Sequence, residues 1–496
     1  MGVTIKKKQI LTIKTQLMNF TETKINAFIN DYVSKLRQGT ATILLGAGMS
    51  KAAGFVDWKG LLSDLAEELG LKIADETDLI SIAQFHKNKN SNRTRINEKI
   101  VDEFTDNDIE TENHRIIARL PFNTIWTTNY DDLIEDAHLK INKKIDVKKN
   151  IDDLFINKGN RSCILYKMHG DKDHANEAVL LKEDYEKYYY THEPFISILN
   201  SELISKSFLF VGFSFTDPNV NYIFGRLTHR YSEKSKDHYC IMKGTSLSDW
   251  GNDQEKYDYE KIKQELFIKE LERYRVQTIL IDNYYDLSLL LKEIEKRYNS
   301  HSIFISGSAV EYGDFTPLEA QNFIHLLSNE LIKNNYNVVN GFGLGVGSAV
   351  INGALDAVYS NPKKFSENQL ILKPFPQFPS GGKDLGTLWE EYRQNMISRA
   401  GVSIILFGNK IEGGNTINAS GVRREFEIAI QHGLVPLPLS YTGFMAKELY
   451  EELSKDFAQN NLEEEIFNDL SNLTLDKDDL AKSINQIVAI IKKIAK

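Results

Sequence analysis

Only two cysteines, Cys163 and Cys240, occur among 496 residues. That excludes a disulfide framework and a four-cysteine zinc site. Basic residues are in deficit as well: 60 Lys and Arg against 69 Asp and Glu leave a formal charge of −9, which argues against broad nucleic-acid binding. No apolar run is long enough to span a membrane, and no signal-peptide core follows Met1. Lys6 stands where a myristoylation signal needs Ser or Thr, and the basic run Lys6-Lys7-Lys8 reads as a solvated segment. The expectation is a cytoplasmic, metal-free chain with no nucleic-acid or membrane partner.

What is present is ordinary globular composition, 42% hydrophobic and 26% charged, over a length that suits two or three domains. Residues 1–21 lack clear periodicity and read as an N-terminal extension. Thr21 then offers an N-cap, and Ile25, Phe28, Ile29, Tyr32, Val33 and Leu36 recur at helical spacing. Strand signals follow at Thr42–Leu45, Thr124–Thr128, Cys163–Lys167, Ser207–Val211, His238–Met242 and Thr278–Asp282. Each ends in a polar or glycine-rich turn, with helical patterns such as Trp58–Leu69 between them. Strands alternating with helices describe a doubly wound parallel sheet, whose ligands bind at the carboxyl ends of the strands.

A helical pattern over 286–299 reads as a linker, and a second strand–helix series fills 300–496. Its strand signals are Ser302–Ile305, Asn337–Asn340, Leu370–Lys373, Val402–Phe407 and Leu434–Leu439. The fold class expected is therefore α/β, with two Rossmann-like doubly wound parallel-sheet domains.

The chemistry concentrates at the strand ends. Gly46-Ala47-Gly48-Met49-Ser50 leaves the first strand, and glycines there allow a ligand close to the backbone. A dehydrogenase fingerprint fails, because it needs glycine at Lys51, and Glu67 and Glu68 lie on a helix pattern rather than after a second strand. Asn129 follows the second strand signal and can orient a water or a sugar hydroxyl; Asp131 beside it suits an Asx-turn capping the next helix. His169 follows the third, where an imidazole can act as base toward a ribose hydroxyl or serve as a structural residue. Three polar turns on successive parallel strands converge on one cleft.

In this order, Gly46-Ala47-Gly48-Met49-Ser50, Gly54, Asn129 with Asp131, His169-Gly170 and Gly212-Phe213-Ser214 resemble the NAD-binding core of sirtuins, over about residues 22–285. The resemblance implies Asn129, His169 and Asp131 as catalytic residues. It implies Gly46, Ala47, Gly48, Ser50, Asp57, Gly212 and Ser214 as NAD contacts. Deacylase sirtuins carry two Cys-x-x-Cys zinc pairs, absent here, and the turn Phe55-Val56-Asp57-Trp58 lacks their Pro and Phe-Arg. Both departures argue against an acyl-lysine substrate.

The second half resembles a SLOG domain, a Rossmann-like nucleotide sensor. On that resemblance Gly307, Ser308, Gly343 and Gly345 offer backbone N–H groups to phosphates, Arg393 and Lys410 pair with them, and Glu425 holds a ribose. A sirtuin-like domain followed by a SLOG domain is similar to the effectors of Thoeris anti-phage systems. This implies an NAD⁺ hydrolase with NAD⁺ as substrate and no zinc or other cofactor. It also implies activation by a cyclic ADP-ribose isomer from a TIR-domain partner, NAD⁺ depletion, and a homotetramer or higher assembly. The alternatives are a sirtuin-type deacylase or ADP-ribosyltransferase, a non-catalytic NAD or ADP-ribose sensor, and a constitutive NAD⁺ hydrolase.

Overall fold

Five apolar or small residues, Ala41–Leu45, form the first strand (β1), and all five are buried. In the computed structural model, which describes residues 22–105, 110–215, 217–218, 220, 224–225 and 236–495, β1 is the middle of a seven-stranded sheet. The others are β2 (Thr124–Thr127), β3 (Ile145–Lys148), β4 (Cys163–Lys167), β5 (Ser207–Val211), β6 (His238–Lys243) and β7 (Val276–Ile281). Their order is β3-β4-β2-β1-β5-β6-β7 and every pairing is parallel. The N-terminal extension 1–21, with the Thr21 cap, and Thr216 lie outside the described residues.

The strand order reverses at β1, so the crevice at the carboxyl ends of β1, β2 and β5 is where a ligand fits such a sheet. Register sets the site. Leu45 pairs with Thr127 on one side and Val211 on the other, and Thr127 pairs with Lys167. Four loops on four adjacent strands therefore leave the sheet at one level. One face of the sheet contributes Leu44, Trp126, Tyr166, Phe208, Phe210, Cys240 and Val276 to a core closed by Tyr188, Phe195, Leu199 and Leu203 from helices Lys182–Thr191 and Glu193–Ser205.

Between β1 and β2 the chain builds a helical module over the strand ends. Helices Trp58–Leu69, Leu79–Asn90 and Thr94–Thr105 pack Leu61, Leu62, Leu65, Ile82, Ile96 and Ile100 against Tyr130, Ala175 and Leu180 of the loops after β2 and β4. At about 1.5–3 kcal/mol per buried aliphatic side chain, this cluster fixes those loops.

Strand β3 was not signalled in the sequence. In Ile145-Asp146-Val147-Lys148 the charged residues are buried and the apolar ones half-buried, so the usual alternation is inverted. Lys148 and Asp146 compensate each other at 3.0 Å, with Arg161 3.3 Å from the second carboxylate oxygen.

The chain separates into units Met1–Glu295 and Lys296–Lys496, a division that falls inside helix Tyr284–Asn299. The second unit holds a parallel sheet of β8 (Ser302–Ser308), β9 (Asn337–Asn340), β10 (Leu370–Leu372), β11 (Val402–Phe407) and β14 (Val435–Pro438), in the order β10-β9-β8-β11-β14. An antiparallel hairpin, β12 (Asn409–Glu412) and β13 (Asn415–Asn418), follows β11. It too carries little strand signal, since Asn, Gly, Lys and Thr dominate its sequence. Ile303, Ile305, Ile404 and Leu406 pack on helices Pro317–Lys333, Gly347–Ser360 and Leu480–Ile494. Phe304 and Val339 pack on the opposite side against Met396, Ile397 and Ile428. Among the described residues no helix is long and apolar enough to cross a membrane.

Candidate functional site

The glycines after β1 and β5 pack on each other. A Cβ on Gly46 would lie 2.5 Å from the Gly212 carbonyl oxygen, and one on Gly48 would lie 2.9 Å from the Gly212 Cα. Gly212 itself takes φ 64° and its missing Cβ would collide with the Met49 nitrogen. Gly46 N donates to Val211 O and Gly48 N to Gly212 O, both at 3.0 Å. The helical turn Ala47–Ser50 is only four residues long, and the longer helix starts at Trp58. Close backbone packing, rather than ligand approach alone, thus requires these glycines.

Asn129 is oriented from this turn. Its Nδ2 donates to Gly46 O at 3.1 Å and to Ser50 Oγ at 2.9 Å. Ser50, 2% exposed, donates in turn to Asp131 Oδ2 at 2.7 Å. Asp131 Oδ1 accepts from Leu133 N at 3.2 Å, the local turn expected of it. The relay uses up the donors of Asn129 and leaves its buried Oδ1 as an acceptor with no partner among the described residues. The site therefore offers a sugar hydroxyl or a water an acceptor at a fixed place. Ser50 serves that relay with its side chain.

His169 occupies the matching place after β4 and is 1% exposed. Its ring stands edge-on to Tyr185 at 5.6 Å and Tyr188 at 6.5 Å between centres. Nε2 is 2.9 Å from Asp217 Oδ2, a short electrostatic contact that is out of line for a hydrogen bond, and Nδ1 has no partner among the described residues. His192 stacks flat on Tyr188, and burial above all pushes its imidazole down to about 4.

Beneath these loops Lys167 is wholly buried and its Nζ donates to Asp131 O at 2.8 Å and to Asp132 Oδ1 and Glu135 Oε1 at 3.0 Å. Burial opposes its charge, but Glu135 and Asp132 outweigh burial and hold it above the usual lysine range. Burial pushes Glu135 up to about 6, with Lys167 opposing and Asp132 adding repulsion. Neither Lys167 nor Asp217 stood out in the sequence, although Asp217 lies in a strand-end turn like the others. Asp57 caps helix Trp58–Leu69 through Gly60 N at 3.0 Å and pairs with Lys51 at 2.7 Å; Ser214 is exposed.

In the second unit the same logic recurs at β8, β9 and β11. A Cβ on Gly307 would lie 2.6 Å from Leu406 O, one on Gly343 would strike the Gly307 carbonyl oxygen, and one on Gly345 (φ 71°) the Ala309 carbonyl oxygen. Ser308 Oγ donates to Asn409 O at 3.0 Å, and Asn409 Oδ1 accepts from Val310 N and Glu311 N, which ties the loop after β8 to the hairpin. Asn409 was missed as a residue that shapes this loop; its place directly after Gly408 was the signal.

Glu425 is buried, accepts from Ser306 Oγ at 2.6 Å and lies 3.8 Å from Arg393 Nε. Burial raises its carboxyl against the lowering effects of Ser306 and Arg393. Arg393 lies over the Phe375 ring at 5.0 Å, a cation–π contact, and its Nε has no hydrogen-bond partner among the described residues. Arg393 and Glu425 thus share one site. Lys410 lies on β12 and pairs with Glu412 at 2.5 Å. No group of three or more His, Cys, Asp or Glu suited to a metal ion occurs among the described residues.

Residues 123–279 match the model of the SIR2-like domain, and residues 286–494 that of the Sir2- and TIR-associating SLOG family. The chain is 42% identical over 473 residues to an NAD(+) hydrolase ThsA of Bacillus cereus, covering 94% of this chain and 98% of that one. It belongs to the ThsA family. An NAD(+) hydrolase ThsA of Cytobacillus dafuensis is 45% identical over 431 residues, covering 86% of this chain and 87% of its own. One of Enterococcus faecium is 36% identical, covering 94% and 98%. As a ThsA-family chain the protein joins a sirtuin-like unit to a SLOG unit, in that order.

Proposed function

We propose that this chain hydrolyses NAD⁺ to nicotinamide and ADP-ribose in the strand-end crevice of its first unit. Family membership supports the reaction class. The observation that carries the site assignment is the fixed acceptor of Asn129, register-matched with His169 across β2 and β4. NAD⁺ lies across the strand ends with its pyrophosphate on the backbone of Gly46, Ala47, Gly48 and Ser50, and with Gly212, Ser214 and Asp57 bordering it. Cleavage passes through an oxocarbenium-like state with nicotinamide as the leaving group. Asn129 Oδ1 accepts from the attacking water or a ribose hydroxyl, and Asp131 holds Ser50, which holds Asn129. His169 accepts from a ribose hydroxyl and raises electron density at the developing cation.

Activation by a cyclic ADP-ribose isomer belongs to the second unit. Its phosphates sit over Gly307, Ser308, Gly343 and Gly345 with Arg393 and Lys410, and a ribose binds Glu425. The "Sir2- and TIR-associating" character of the SLOG family supports a TIR-domain source for that ligand. The reaction needs no zinc or other cofactor, takes place in the cytoplasm in a homotetramer or larger assembly, and depletes NAD⁺ during phage infection.

Incubation with NAD⁺, with and without cyclic ADP-ribose isomers, tests both halves by chromatographic detection of nicotinamide. Release only with an isomer is expected. Acyl-peptide turnover instead, or binding without nicotinamide release, would replace the reading by a deacylase or a sensor.

A further inference from the structure

Asp217 is placed by the backbone independently of His169. Its Oδ1 accepts from Val220 N, three residues on, at 3.0 Å, the hydrogen bond of a helix N-cap. Its Oδ2 is then left 2.9 Å from Nε2 of His169. Asp217 is 9% exposed and His169 1%, so water screens this contact little. The ring is also confined edge-on by Tyr185 and Tyr188. Two loops, after β4 and after β5, thus converge on one imidazole from opposite sides of β1 and β2.

We infer that Asp217 is the positioning residue of His169. The carboxylate selects the tautomer with its proton on Nε2 and leaves Nδ1, unpartnered among the described residues, to accept the ribose hydroxyl. It also stabilises positive charge on the ring as that hydrogen bond strengthens toward the transition state. Asp217 touches no substrate in this scheme and acts through His169. The Asp217–His169 contact is short but out of line for a hydrogen bond, and substrate binding is expected to bring it into line. The inference rests on the assignment of His169 to NAD⁺ cleavage.

Asp217→Asn separates the charge from the cap, since an Asn side-chain oxygen caps a helix as well as Asp. Nicotinamide release by the full chain is measured across pH with a mixture of cyclic ADP-ribose isomers present, for wild type, D217N, D217A and H169A. D217N is expected to lose kcat by about 10²-fold with KM within about twofold. Its kcat–pH profile moves to lower pH, because an anion beside the imidazole is gone, and its melting temperature stays near wild type. D217A, lacking the cap as well, melts lower. Wild-type or raised turnover in D217N, with H169A inactive, overturns the positioning role and leaves the His169 assignment standing. A kcat loss in D217N with no shift of its pH profile overturns it too, because a carboxylate that serves only the fold moves no titration. Activity in H169A removes the His169 reading itself.

Discussion

Ser50 Oγ donates to Asp131 Oδ2 at 2.7 Å, and this bond fixes which way the serine lone pairs point. The hydroxyl has one proton, so once it is given to Asp131 the oxygen accepts from Asn129 Nδ2. The carboxylate two residues on thereby decides the amide orientation of Asn129, by way of a serine in another loop. Ser50→Ala breaks this relay without touching the Asn129 side chain. Turnover is expected to fall about tenfold, and stability by about 1–3 kcal/mol as a buried carboxylate loses its donor. Nicotinamide release and urea unfolding check both; unchanged turnover would separate Ser50 from catalysis.

Asn129→Ala and His169→Ala each remove one of the groups assigned to the cleavage. Loss of at least about 10²-fold in NAD⁺ turnover is expected from either, with circular dichroism unchanged. Near wild-type release of nicotinamide by one of them would eliminate that residue from the mechanism.

Gly212→Ala puts a methyl group onto the Met49 nitrogen at a φ of 64°. The side chain has no flexible neighbour to displace, so a cost of about 2 kcal/mol or more is expected. The same substitution at Gly70, at φ 79° with open space around its Cβ position, meets no such collision and costs less. Thermal melting of the pair distinguishes interlock from backbone strain; equal losses would mean that φ alone matters.

Acid should weaken the first unit in a defined window. His138 and His238 are buried and their imidazoles are pushed down to about 4 and about 3, by burial above all. Unfolded, each takes up its proton near the ordinary value of about 6.5. Between about pH 6.5 and 4 the unfolded chain therefore binds about one more proton per histidine than the folded one. Stability falls with pH there by about 1.4 kcal/mol per unit for each. Urea midpoints followed by tryptophan fluorescence from pH 7 to 4.5 measure the slope, and His138→Gln should reduce it by about one proton.

Arg393→Ala takes away the guanidinium that lies 3.8 Å from Glu425 and over Phe375. It lies outside the cleavage site, so it is expected to abolish activation by cyclic ADP-ribose isomers while leaving NAD⁺ binding to the first unit unchanged. Persisting activation, followed by nicotinamide release at saturating NAD⁺, would move the activator elsewhere.

The strands that carry these groups are legible because their burial follows composition: Ala41–Leu45 and Val402–Phe407 are short, largely apolar runs bounded by glycine turns, the pattern of a buried parallel strand. Strand β3 is not, because Asp146 and Lys148 are buried as a compensated pair and no periodicity rule anticipates that. Asn129 and His169 were visible from their place past strand ends. What the sequence concealed was their company. The orphan oxygen of Asn129 depends on Ser50, 79 residues away, and the contact of Asp217 with His169 depends on a cap in another loop. The glycines of the β1 turn suggest room for a ligand, but contact between two loops already demands them.

That contact has a mechanical consequence. With Gly46, Gly48 and Gly212 meshed at less than the width of a methyl group, the segments leaving β1 and β5 have no play between them. Asn129 hangs from the Gly46 carbonyl, and Asp217 continues the chain five residues past Gly212. The Gly46 carbonyl that holds the Asn129 amide is therefore itself held in place by the loop after β5.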